Sequence, residues 1–252
     1  MALAQRPAAL VTGASQGVGA AIALRLARAG FDLAVTARSV NSLEDIREEL
    51  HSAGARAVPI ALELASQESI DQAIVTANAE LPALEVLVNN AAVTLRRPAL
   101  EVTPTEWQSI MDVNLTGTFF MCQQMARCLI KAGRHGSIVN LTSTHGIVAL
   151  AERSTYGIAK AGIIHMTRVC AYEWASKGVR VNAVAPATVD TPSRIAYFNA
   201  TPGSRETLLA RVPSGRFSSV DEVAGAVAYL VSKDAVNITG HTLVLDGGLT
   251  AY

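Results

Sequence analysis

The chain has 252 residues, half of them hydrophobic and 17% charged, which excludes a disordered chain and suffices for the core of one α/β layer structure. Lys plus Arg and Asp plus Glu number 21 each with no block of like charge, which disfavours a basic nucleic-acid-binding surface while leaving a local patch open. No charge-free apolar run reaches the ~18 residues of a membrane span, and Met1–Pro7 lacks the apolar core of a signal peptide.

In chain order, Ala8–Thr12 is an apolar run of strand length, followed at once by Gly13-Ala14-Ser15-Gln16-Gly17-Val18-Gly19. A helical pattern through Ile22, Leu24, Leu26 and Ala27 then stops at Ala29-Gly30, and Asp32–Thr36 is the next strand. The same punctuation recurs. Ala53-Gly54, Ala132-Gly133 and Lys177-Gly178 each precede a Val/Ile/Leu-rich run, the rhythm of βαβ units. Seven strands are predicted, near 8–12, 32–37, 56–63, 84–89, 136–142, 179–185 and 242–246. Most are continuous apolar runs rather than alternating ones, as a parallel sheet covered by helices on both faces requires. No linker or composition break divides them, so residues 1–252 form one domain. The exception to the rhythm is 187–219, which holds Pro192, Pro202, Gly203, Pro213 and Gly215. A stretch that long after a strand's carboxyl end reads as an irregular, mobile lid over a ligand.

Three places carry chemistry. Gly13, Gly17 and Gly19 between strand and helix let the backbone turn sharply and approach a pyrophosphate, which the helix N-terminus favours. Ser143 follows the fifth strand, so its hydroxyl emerges at the sheet's carboxyl edge, placed to donate to a carbonyl oxygen as charge develops there. Tyr156 and Lys160 are four apart in a predicted helix and share one face. A free phenol has a pKa of about 10. An ammonium roughly 4 Å away at an effective dielectric of about 20 favours the phenolate by on the order of 4 kcal/mol, about three units. Tyr156 then becomes a proton-transfer group near neutrality. Asn114 is a poor helix former in mid-pattern.

Thr12-Gly13-x-x-x-Gly17-x-Gly19, Asn89-Asn90-Ala91, Asn114, Ser143 and Tyr156-x-x-x-Lys160 occur in the order and approximate spacing of the short-chain dehydrogenase/reductase family, which the chain resembles over nearly its whole length. Ile238-Thr239-Gly240 and Val244-Leu245-Asp246-Gly247-Gly248 resemble the closing segment of its 3-oxoacyl-reductase-like branch. The resemblance implies a Rossmann-type, doubly wound α/β fold with a seven-stranded parallel sheet in the order 3-2-1-4-5-6-7, a nicotinamide cofactor, and a homotetramer. It implies that Asn114, Ser143, Tyr156 and Lys160 are catalytic. Asn114 would interrupt its helix and hold a water leading to Lys160, which would also bind the nicotinamide ribose.

The same resemblance implies a cofactor site. Gly13, Ser15, Gln16, Gly17, Val18 and Gly19 form the glycine loop. Glu63 and Leu64 stand near the adenine, Asn90 and Ala91 near the adenosine ribose, and Pro186, Val189 and Thr191 at the carboxamide. Ala37 stands where relatives that select NAD carry an aspartate, and Arg38 and Ser39 follow. Arginine suits a phosphate, so NADP(H) is favoured over NAD(H). Ala92 and Ala187 replace family glycines and put local fit in question.

The expected activity is that of an NADPH-dependent carbonyl reductase or alcohol dehydrogenase, acting on a small to medium ketone or alcohol, 3-oxoacyl thioesters among them. The alternatives are a cofactor-sensing regulator, or a dehydratase or epimerase on the same fold. His145 reads equally as a pocket residue or a solvated loop histidine. The histidines show no metal-ligand spacing, so no metal is expected. Cys122, Cys128 and Cys170 form no C-x-x-C pair and read as reduced filler, which points to the cytoplasm.

Overall fold

The computed structural model describes residues 6–251, so residues 1–5 of the stretch read for a leader lie outside it. The seven strands are β1 (Ala8–Thr12), β2 (Asp32–Ala37), β3 (Ala57–Ala61), β4 (Leu84–Asn89), β5 (Gly136–Leu141), β6 (Val179–Pro186) and β7 (Thr242–Leu245). All neighbours pair parallel, in the order β3-β2-β1-β4-β5-β6-β7. Strand β3 ends at Ala61, sooner than expected, and Leu62 still donates to the Ala37 carbonyl at 2.9 Å before the chain leaves the sheet edge.

Alternate residues of a strand point to opposite faces. Ala8 and Leu10 of β1 therefore join one core with α3 (Gln67–Glu80), α5 (Thr118–Lys131) and α6 (Ser154–Trp174). Ala9 and Val11 join the other, with α1 (Gly17–Arg28), α2 (Glu44–Ser52) and α9 (Val220–Val231). This two-sided burial is why the strands read as unbroken apolar runs. The four glycine stops at 30, 54, 133 and 178 all lie at positive φ, between 63° and 98°, where other residues are strained. A further helix, α4 (Pro104–Met111), starts at a Thr103/Glu106 capping box. It runs into a π-helical turn, Asp112–Gly117, which holds Asn114.

The stretch 187–219 differs from the irregular lid expected. It folds into α7 (Pro192–Ala200) and α8 (Ser204–Leu209). Pro192 and Gly203, read as breakers, stand at a first helical position and at an N-cap, where each is tolerated. Phe198, Val212 and Phe217 bury a small core of their own, and Arg205 pairs with Asp190 at 2.9 Å. Local sequence could not show that satellite core, because its members are up to nineteen residues apart.

The strand order reverses between β1 and β4, the crevice where open α/β sheets bind ligands. Among the described residues, no helix is long and apolar enough to cross a membrane.

Candidate active site

The glycine loop sits at that crevice and is held from the far side. The Thr12 hydroxyl accepts from the backbone N–H groups of Asn90 (2.9 Å) and Ala91 (3.0 Å), and Asn90 Nδ2 donates to the carbonyls of Thr12 and Gly13 at 3.0 Å. A Cβ on Gly19 would overlap the Gly13 carbonyl and stand 2.6 Å from Asn90 Nδ2, so only glycine lets α1 start this close to β1. Gln16 gives α1 no side-chain cap, leaving its first N–H groups without a capping acceptor. That is the donor set an anionic pyrophosphate needs.

A groove of about 540 Å³ runs past this loop, lined by Gly13, Ser15, Gln16, Arg38, Glu63, Leu64, Asn90, Ala91 and Tyr156. It shares Asn90, Ala92, Thr94 and Tyr156 with a second cleft of about 230 Å³. There Val18, Ser143, Lys160, Pro186, Val189 and Thr191 stand around Tyr156. The two lobes make one elongated site along the carboxyl edge of the sheet. Its length along the sheet edge, beginning beside the uncapped helix start, suits a dinucleotide. Arg38 is exposed and has no acidic partner within salt-bridge distance among the described residues, so it can meet a phosphate.

Not every expected contact lines the site. Gly17 and Gly19 serve the loop's conformation and packing, and Ser39 is exposed at the N-cap of a short turn where its carbonyl accepts from Ser42. Thr191 lines the cleft while its hydroxyl caps α7, accepting from Arg194 N–H at 3.2 Å. Asn114 is fully buried behind the wall. Its Oδ1 accepts from Val93 N–H and its Nδ2 donates to Val93 carbonyl, each at 2.8 Å. Its side chain therefore braces the 90–94 segment, and its carbonyl accepts from the Thr118 hydroxyl at 2.7 Å.

The wall carrying Ser143 meets α6 at backbone contact. A Cβ on Gly146 would stand 2.7 Å from the Lys160 carbonyl carbon, and one on Gly157 would stand 2.9 Å from the His145 oxygen. These two glycines let the 143–146 turn lie against the helix, which sets Ser143 and His145 beside Tyr156. The His145 and Tyr156 rings meet edge to face at 5.9 Å.

The electrostatics differ from the simple picture of an ammonium tuning a phenol. Lys160 is buried, and its Nζ donates to the Leu141 carbonyl at 2.7 Å and lies 5.5 Å from the centre of the Tyr156 ring. Burial disfavours its charged form and brings its pKa down to about 8. Burial also raises the Tyr156 phenol, opposed first by the Arg153 guanidinium, then by a hydrogen bond with Ser143 and by Arg194. The net shift of the phenol is upward, because the burial that strips water from it outweighs the charges around it. Burial, then Arg153, Arg194 and Arg211, lowers the His145 pKa and keeps its imidazole neutral near pH 7.

Arg153, Arg194, Thr94 and Thr188 line the cleft; they fall in the stretches 92–98, 144–153 and 188–215, where the sequence leads one to expect substrate selectivity, but none of them stands out there individually. A lone arginine after a loop carries no local signal of what it faces. Among the described residues no group of three or more His, Cys, Asp or Glu could hold a metal ion.

Fold and cleft together define a nucleotide-dependent enzyme of the Rossmann type, with its glycine loop at the switch point and its hydroxyl-bearing wall beside it, beyond β5. The family model described as Enoyl-(Acyl carrier protein) reductase matches residues 13–250. The chain is 36% identical over 246 residues to the 3-oxoacyl-[acyl-carrier-protein] reductase of Synechocystis sp., covering 97% of each. Its fold superimposes on a protein of Sinorhizobium meliloti 1021, provisionally described as a short-chain alcohol dehydrogenase, with a TM-score of 0.93 at 37% identity over 98% of this chain and 97% of that one. It also matches a protein of Agrobacterium tumefaciens, provisionally described as a 2-deoxy-D-gluconate 3-dehydrogenase and solved with bound NADP, with a TM-score of 0.91 at 32% identity over 99% and 98%. The chain belongs to the short-chain dehydrogenase/reductase family, on its 3-oxoacyl-reductase-like side. It is an NAD(P)-dependent oxidoreductase acting on CH–OH or C=O groups.

Proposed function

We propose that this enzyme is an NADPH-dependent carbonyl reductase, or the alcohol dehydrogenase of the reverse reaction, acting on a small to medium ketone or alcohol with Tyr156 as general acid/base. The observation that carries the reading is the meeting of Ser143, Tyr156 and buried Lys160 in a cleft continuous with the glycine-loop groove. A bound nicotinamide supplies the hydride. The Ser143 hydroxyl donates to the substrate oxygen and holds the carbonyl. Tyr156, kept protonated at neutral pH by burial, gives its proton to that oxygen as the C–H bond forms. The carbonyl thereby gains two electrons and two hydrogens, and a phenolate remains. Lys160, with a pKa near 8, is largely protonated at pH 7, lies 5.5 Å from the centre of the Tyr156 ring, and would hold the ribose hydroxyls. In this reading Asn114 sets the wall through Val93, and water at its π-helical turn resupplies the proton through Lys160.

Ser15 to Gly19 and the start of α1 would hold the pyrophosphate, Glu63 and Leu64 the adenine, Asn90 and Ala91 the adenosine ribose, and Pro186, Val189 and Thr191 the carboxamide. Arg38 and Ser39 would take the 2′-phosphate of NADP(H), a preference supported by the absence of an acidic residue at position 37 or 38. Residues 187–219 would cover substrate and nicotinamide as a lid.

Loss of NADPH absorbance with a panel of ketones, 3-oxoacyl thioesters, sugars and quinones tests the activity. Tyr156→Phe is expected to lower kcat by about 100-fold or more. Turnover near that of the wild type would remove Tyr156 from the chemistry. Arg38→Asp should raise the NADPH Michaelis constant at least about tenfold, because a carboxylate repels the 2′-phosphate. An unchanged constant removes Arg38 from the cofactor site.

A further inference from the structure

The cleft around Tyr156 is lined on one side by two guanidinium groups that have no carboxylate. Arg153 stands at the start of α6 and Arg194 in the first turn of α7, and no Asp or Glu lines this lobe among the described residues. Of the arginines nearby, Arg96 pairs with Glu152, Arg205 with Asp190 at 2.9 Å, and Arg216 with Glu222 at 2.7 Å, whereas Arg153, Arg194 and Arg211 make no ion pair among the described residues. Arg153 makes one long contact, 3.5 Å from Nη1 to the Leu95 carbonyl, and Arg194 lies over the rings of Tyr197 and Phe198. Both are partly buried, so their charge acts into a space poorer in water than the surface. Glu152, just before Arg153, sits at φ 62°, a conformation uncommon outside glycine, and is held there by its ion pair to Arg96 and by Arg97 N–H donating to its carbonyl. Backbone strain is thus maintained at the residue that delivers Arg153 to the cleft. The imidazole Nδ1 of His145, in the same wall, is buried with no partner.

Resting on the reductase reading above, we propose that the substrate is a small oxo-acid whose anionic group is bound by Arg153 and Arg194, with His145 as a neutral hydrogen-bonding partner. A planar guanidinium fork matches a carboxylate or a phosphate, and two unpaired forks flanking one reactive tyrosine select a substrate whose negative charge lies close to its carbonyl. A long-chain 3-oxoacyl thioester, whose charges lie at the far end of its carrier arm, leaves both guanidiniums unmatched.

The test uses the full-length enzyme with NADPH and matched pairs: 3-oxobutanoate, 4-oxopentanoate and 5-oxohexanoate against their methyl esters, and dihydroxyacetone phosphate against dihydroxyacetone. At least one carboxylate is expected to exceed its ester in kcat/KM by about 10- to 100-fold. Arg153→Gln and Arg194→Gln should bring that ratio toward one, with lysine at either position keeping part of it. The ratio is the readout because both guanidiniums also act on Tyr156 and so alter turnover of acid and ester together. A preference confined to dihydroxyacetone phosphate would overturn the carboxylate assignment in favour of a phosphate. A ratio near one for every pair, or one that survives in the double variant, overturns the proposal. So does an Arg194→Gln enzyme that loses only NADPH affinity, which would assign Arg194 to the cofactor.

If no ketone is reduced, the reductase reading falls, and calorimetric titration of 4-oxopentanoate into the enzyme saturated with NADP+ decides the anion site separately. Binding lost in the double variant upholds the site, and no binding to the wild type overturns it.

Discussion

Lys160 shows how burial sets the behaviour of a single group. Its side chain is 3% exposed, and its pKa falls from 10.5 to about 8. Between those values the unfolded chain binds a proton that the native chain does not, so this lysine makes stability rise with pH from about 8 to 10.5. A shift of that size corresponds to on the order of 3 kcal/mol. Urea unfolding of the cofactor-free enzyme under reducing conditions, wild type against Lys160→Met, isolates it from the tyrosines and cysteines common to both. The wild-type stability minus that of the variant should increase by up to about 3 kcal/mol across this window. A difference flat in pH would mean that the lysine is not dehydrated in the cofactor-free protein. Tyr156 responds to the same burial in the opposite sense, and stays the protonated partner that reduction needs.

At the scale of elements, the site is a contact between a turn and a helix. Thr144–Gly146 lies on α6 because Gly146 and Gly157 carry no Cβ, and the Thr142 hydroxyl donates to the Lys160 carbonyl at 2.8 Å across the same seam. Gly146→Ala would push the turn off backbone atoms that cannot rotate away, at a cost of about 1–3 kcal/mol. The expected result is a lower unfolding midpoint together with a kcat/KM reduced at least about tenfold, since a 1 Å shift of Ser143 from the carbonyl spoils the geometry. An active enzyme of unchanged stability would show that the seam is looser than this packing implies. Nothing local marks Gly146 or Gly157 for this task. Their neighbours across the seam are at least twelve residues away, whereas the cap glycines, whose partners are in the preceding turn, were legible.

Among the described residues of the whole molecule, large apolar side chains stay exposed in several places. Phe119, Ile158, Val169 and Tyr172 lie on α5 and α6, and Tyr229, Val236 and Val244 lie on or beside α9 and β7. A tetramer with two kinds of two-fold contact would bury two such groups of residues on each subunit. We therefore expect the homotetramer implied by the family resemblance. Light scattering should give four times the chain mass of 26.4 kDa, and Tyr172→Glu, at a side chain 91% exposed in the single chain, should reduce it to a dimer. A monomer in the wild type would refute both.

The sequence alone determined the strands, the glycine stops, the loop at the first strand's end and, through the motifs it shares with its family, the strand order. Apolar periodicity and turn chemistry are imposed by neighbours within a few residues, and so they are written locally. Only the tertiary structure decided that 187–219 folds around Phe198, Val212 and Phe217, and that the side chain of Asn114 grips Val93. Only there do Arg153 and Arg194 prove to act on Tyr156, beside a lysine already engaged by Leu141. Packing and charge depend on which distant residues meet and on how much water remains between them. Both are properties of the folded chain.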